Sequence, residues 1–84
     1  MKFYFVYIIE SQENNRKYIG FTSDVFKRLS DHNSGKSKYT KAFVPWKLVY
    51  FESYSEELKA RKRELQLKKS SWHKKQLFDR LFET

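Results

Sequence analysis

Cysteine is absent from this 84-residue chain, proline occurs once and glycine twice. Without thiols there is no disulfide framework, no thiolate zinc site and no cysteine nucleophile, and the composition suits a reducing, cytoplasmic setting. Long apolar runs are missing too. The longest, Phe3 to Ile9, stops at Glu10, far short of the ~20 residues of a membrane span. No small-residue cleavage site follows it, so it does not read as a secretory signal. The length excludes a two-lobed enzyme with a cofactor cleft, because a chain this short holds a single core. No membrane attachment and no small-molecule cofactor are expected.

Acidic residues are the scarcer charge: 10 Asp+Glu stand against 18 Lys+Arg, a formal net charge of +8. The excess is spread over both halves, so it belongs to a folded body and not to a tail. Aromatic residues make up 19% of the chain, and rings in that number drive burial, which predicts one ordered domain over residues 1–84. A polyanion is the expected partner, since lysine and arginine that neutralise phosphates release counterions.

Phe3–Ile9 is apolar on both alternating faces, the pattern of a central strand covered on both sides. Asn14-Asn15 supplies turn chemistry and Lys17–Phe21 resumes strand composition, which predicts a hairpin. A loop at Ser11–Asn14 would place Tyr7 opposite Tyr18. Thr22, Ser23 and Asp24 offer capping oxygens and Gly35 a terminator, so Val25–Ser34 is expected to be helical. Val25, Phe26 and Leu29 form its apolar arc, with Arg28 and His32 on the edge. Lys36–Pro45 is a basic connection, with room for a short helical turn, and Trp46–Glu52 reads as a third strand. Ser55–Lys69 is the clearest helix. A last helix, about 71–82, runs through Trp72, Leu77, Phe78 and Leu81. The expected class is α/β: a small, three-stranded, largely antiparallel sheet flanked by helices.

In the helix 55–69, Leu58 and Leu65 share one flank of the expected inward arc and Ala60 and Leu67 the other. Glu64, Arg61 and Lys68 lie between them. A carboxylate in that arc needs a cation. Glu64 therefore reads either as the ion-pair partner of Arg61 or Lys68 or as a ligand for a hard divalent cation such as Mg²⁺.

Val6-Tyr7, Tyr18-Ile19-Gly20, Arg28, His32 four residues later and Glu64 on a downstream helix form an ordered constellation. It resembles the GIY-YIG nuclease superfamily, most of all its small stand-alone bacterial members, over about residues 3–69. Thr22-Ser23-Asp24, His32-Asn33, Tyr39-Thr40 and Pro45-Trp46 support the likeness. Two departures stand out. Phe5 and Val6 replace the glycine and isoleucine of the first motif, and no asparagine follows Asn33, although larger members bring one to the site from beyond the glutamate helix.

The resemblance implies a metal-dependent endonuclease that hydrolyses phosphodiester bonds, expected on DNA, with DNA repair or recombination as its setting. Glu64 would hold one divalent cation, Mg²⁺ or Mn²⁺, and Arg28 would set a permanent charge against the phosphate. Of Tyr7 and Tyr18, one would deprotonate or position water and the other orient it, Tyr7 being the preferred base. His32 would tune or relay protons, and Gly20 would clear space for substrate. Lys36, Lys38, Tyr39 and Lys41, with Arg61 and Lys68, are expected to track the nucleic acid. The rival readings are a non-catalytic nucleic-acid-binding module and a basic protein-interaction domain.

Overall fold

The computed structural model describes residues 1–82, so the last two positions of the expected domain lie outside the described residues. The apolar N-terminal run forms β1 (Tyr4–Ser11), the middle strand of an antiparallel sheet of order β2-β1-β3, with β2 at Lys17–Thr22 and β3 at Trp46–Tyr54. Val6, Tyr7, Ile8 and Ile9 are all buried, because alternate residues feed two different cores. Val6 and Ile8 join Ile19, Ala60, Leu67 and Leu77 on one face, while Tyr7 and Ile9 join Trp46 on the other. Complete burial of each aliphatic side chain contributes about 1.5–3 kcal/mol, so β1 anchors both layers.

The hairpin register differs from the sequence expectation by two residues. Tyr7 lies opposite Gly20, and Tyr18 pairs with Ile9. The four-residue loop sits one position later than expected, at 12–15, because Ser11 extends β1 and its N–H donates to Arg16 C=O at 2.8 Å, with Asn15 in a left-handed conformation (φ 60°). Side chains alternate with period two, so this slip leaves Tyr18 on the same face as Tyr7.

Helix α1 (Val25–Asn33) begins as expected, with the Asp24 carboxylate accepting from Lys27 N–H at 3.1 Å. At its end Gly35 adopts φ +82°, and Lys36 N–H reaches Asp31 C=O, the paired closure of a Schellman motif. Val25 and His32 are buried on its inward face, with Leu29 partly buried between them. Phe26, expected within the apolar arc, lies about 100° around the helix from Val25 and is exposed. A 3-10 turn at Lys41–Phe43 supplies the helical turn of the basic connection.

Strand β3 carries one extra residue, Val49, where its register against β1 shifts between Ile8 and Ile9. The bulge reverses the facing of the strand. Trp46 and Leu48 join the α1 side, whereas Tyr50 and Tyr54 pack on the side of α2 (Glu57–Lys69) and α3 (Ser71–Phe82). On that second side Glu52 accepts hydrogen bonds from the Tyr50 and Tyr54 hydroxyls and from Arg63 Nε, the last at 2.8 Å.

This cluster explains why α2 is rolled relative to the expectation. Ala60 and Leu67 alone are fully buried, Arg63 turns in to meet Glu52, and Leu58 and Leu65 are exposed. Glu52 sits where burial opposes its charge but the two hydroxyls and Arg63 outweigh it, holding its carboxyl below the usual carboxylate range. Glu52→Gln is expected to lower stability by about 2 kcal/mol, since Arg63 and two phenols lose an ionised partner. That corresponds to roughly 8–16 °C in Tm, and an unchanged thermal unfolding curve would exclude the cluster as a clamp between β3 and α2.

Candidate active site

Gly20 shapes the site. A Cβ at that position would lie 2.3 Å from the Tyr7 hydroxyl and 2.4 Å from Cζ, so the Tyr7 ring occupies the space above Gly20 and carries its hydroxyl out over the edge strand. The space expected for substrate is therefore filled by Tyr7 itself. Tyr18, two residues earlier on the same strand face, has its ring centroid 6.4 Å from that of Tyr7. The His32 ring from α1 closes the group at 5.9 Å from Tyr7 and 5.2 Å from Tyr18.

His32 is completely buried, unlike the edge position its helical angle suggested. Its Nε2 lies 2.8 Å from the Tyr7 hydroxyl and its Nδ1 lies 2.7 Å from the Thr40 hydroxyl. Thr40 is itself buried and its carbonyl accepts from the Trp46 indole N–H at 2.9 Å. This line, Tyr7 to His32 to Thr40, was only half visible in sequence. Tyr39-Thr40 stood out as a supporting pair, but no spacing rule links a loop threonine to a helix histidine eight positions earlier. Asn33 reinforces the arrangement by receiving Trp46 N–H at 2.5 Å and donating to Trp46 C=O at 2.9 Å.

Burial, followed by the Arg28 charge, pushes the His32 imidazole down to about 4. His32 is thus neutral at pH 7, with one nitrogen donating and the other accepting. Burial and the neighbouring Tyr18 push the Tyr7 phenol up to about 12, against the opposing pull of Arg28. With Arg28 facing its oxygen, Tyr7 is suited to donate its proton to Nε2 of His32, leaving Nδ1–H to donate to Thr40.

The depressed His32 value carries a stability consequence. Between about pH 6.5, the ordinary histidine value, and about 4 the unfolded chain binds the proton that the folded chain refuses. Stability from the neutral ring is complete above that window and is lost as pH falls through it. Unfolding temperature should drop more for the parent than for His32→Gln between pH 7 and pH 4.5, and parallel curves would contradict the assignment.

Glu64 comes from α2, which packs on the opposite layer from α1. Its charge nevertheless acts on the Tyr7 phenol, as the weakest of the influences that raise it, and its partner Lys68 stands 3.0 Å away. The Lys68 ammonium also lies 5.5 Å from the Tyr18 ring centroid. Tyr7, Tyr18 and His32 thus pack ring against ring at one edge of the sheet, and the charges of Arg28 and Glu64 act on the same Tyr7 phenol, which makes a group of five. Of the two cations considered for Glu64, Lys68 takes the role. Arg61 instead pairs with Glu57 at 2.8 Å and covers the Phe21 ring, which separates it from the group.

Among the basic loop residues, Tyr39 stacks obliquely against Tyr18 at 5.6 Å. Lys36 is drawn back to Asp31 at 3.4 Å, while Lys38 and Lys41 are exposed. Among the described residues no cluster of three or more histidine, cysteine or acidic side chains is placed to enclose a metal ion. A cation here would have Glu64 as its carboxylate and complete its shell with water and phosphate, a donor set that suits Mg²⁺. No helix of the described residues is long and apolar enough to cross a membrane.

Residues 3–76 match the family model of the GIY-YIG catalytic domain. The UPF0213 protein YazA of Bacillus subtilis is 38% identical over 76 residues, covering 89% of this chain and 76% of the relative. A UPF0213 protein of Syntrophus aciditrophicus is 45% identical over 69 residues, covering 80% and 78%. The solution NMR structure of the UPF0213 protein BH0048 of Bacillus halodurans superposes with a TM-score of 0.57 at 33% identity, covering 96% of this chain and 86% of that one.

Proposed function

The chain belongs to the GIY-YIG family, and from that premise we propose that it is a metal-dependent endonuclease hydrolysing phosphodiester bonds of DNA. The observation that supports the proposal is the hydrogen-bonded line Tyr7–His32–Thr40, on whose phenol the charges of Arg28 and Glu64 act. Glu64 would hold a divalent cation, whose charge would polarise the scissile phosphate and stabilise the leaving oxygen. Arg28 binds a non-bridging phosphate oxygen through its fixed donors. The Tyr7 oxygen positions the attacking water, and its proton has a path to Nε2 of His32. Tyr18 orients the same water from two residues away on β2. Thr40 fixes which imidazole nitrogen stays free.

The overall charge of +8 supports binding that is mostly electrostatic and steeply salt-dependent. Because no asparagine follows Asn33, a module that binds without cutting is the competing reading. Incubation with duplex, flap and branched DNA in Mg²⁺, Mn²⁺ or EDTA decides. Cleavage in metal that EDTA abolishes is expected, whereas salt-sensitive binding with no cleavage of any substrate selects the binding module.

Thr40→Val tests the line directly. It keeps the shape and removes the acceptor for Nδ1–H, so the ring should change tautomer, visible in imidazole nitrogen NMR shifts, with cleavage falling about tenfold or more. An unchanged tautomer would sink the assignment.

A further inference from the structure

Beside the five-residue group the sheet edge opens into a cleft of about 860 Å³ between β2, α2 and α3. Lys17, Tyr18, Tyr39, Lys68, Lys74 and Phe78 line it. Its only acid among the lining residues, Asp79, is held by Lys75 at 2.7 Å. Three lysines of the wall each lie over an aromatic ring; Lys17 is also paired with Glu10 and Lys68 with Glu64, both at 3.0 Å, while Lys74 makes no ion pair among the described residues. Lys17 lies 4.6 Å from the ring centroid of Phe82, Lys68 5.5 Å from that of Tyr18, and Lys74 5.9 Å from that of Phe78.

Tyr39, exposed over two-thirds of its surface, leans at 44° over Tyr18 and leaves a free ring face toward solvent. Such tilted rings cannot meet the bases of a continuous duplex, whose faces are hidden in the stack. They suit unstacked bases, with Lys74, the lining lysine without an ion pair among the described residues, taking a neighbouring phosphate. The cleft is continuous with the candidate active site, because Tyr18 belongs to both and Lys68 holds Glu64 from the cleft side.

We propose that this cleft is a subsite for an unstacked nucleotide flanking the scissile phosphate, so that the substrate carries a single-stranded segment there. The inference rests on the nuclease reading of the adjoining residues, and its test is made on binding alone. Glu64→Gln protein in EDTA is titrated with a short single strand carrying 2-aminopurine and with the blunt duplex of the same sequence. Tyr39→Ala and Lys74→Gln are then added separately; both side chains are exposed, so folding is not at stake.

Tyr39→Ala is expected to weaken single-strand binding about tenfold and to relieve quenching of the fluorescent base. Lys74→Gln should lower the salt slope by about one unit. Duplex affinity should change less than about twofold in both variants. Equal losses for duplex and single strand, or parental single-strand affinity in both variants, overturn the subsite. Parental protein that cuts nothing while the variants lose single-strand binding refutes the nuclease and leaves the nucleotide site supported.

Discussion

Glu64→Gln should abolish metal-dependent cleavage, with a fall of at least about a hundredfold, while the protein stays folded. The amide keeps the shape and loses the charge that recruits a cation. The sequence alone left open a large stability penalty, had Glu64 been the sole partner of a buried cation. The structure removes that ambiguity, because Lys68 keeps 43% of its side-chain surface exposed. An ammonium so exposed is resolvated when its partner is lost, so the change costs within about 1 kcal/mol. Thermal unfolding and plasmid nicking on one preparation give the answer. Parental nicking in Mg²⁺ ends the metal-ligand proposal.

Gly20→Ala is the second change with a large expected effect, and it acts through Tyr7. The added methyl would stand 2.3 Å from the Tyr7 hydroxyl, and Tyr7 is 2% exposed with its oxygen tied to His32. The ring must shift, which breaks the line to Thr40. A stability loss of about 1–3 kcal/mol is expected from overpacking. Displacing a positioned group by about 1 Å also costs catalysis on the order of a hundredfold.

Gly35→Ala is the control. Gly35 has φ +82° with only Lys41 Cβ near, at 3.9 Å, so alanine there strains the backbone by about 1 kcal/mol without touching the site. Gly35→Ala should lose stability and keep cleavage, and Gly20→Ala should lose both. Full activity in Gly20→Ala would mean that Tyr7 does not act from its observed position.

The amino-acid sequence determined on its own that β1 is central, because Val6 to Ile9 has no polar face to give to water. It determined both ends of α1, where the Asp24 cap and Gly35 satisfy local backbone groups. The ordered residues Tyr7, Tyr18-Ile19-Gly20, Arg28, His32 and Glu64 also pointed to the family before any coordinates. These features depend on neighbours within a few residues, or on residue order alone.

Only the tertiary structure decided the rest. The bulge at Val49 exchanges the faces of β3, and no alternation within Trp46–Tyr54 announces it. The roll of α2 follows from the attraction of Arg63 to Glu52 across two elements, so Leu58 and Leu65, apolar by type, end exposed. The partner of Tyr7 in β2 depended on where along the chain the turn closes, and the role of Gly20 on what lies above it. The burial of His32 depended on how the connection that follows α1 folds back to bring Thr40 against the ring. A helical angle can place a side chain on an edge, but only the layer packed against that edge determines whether water reaches it.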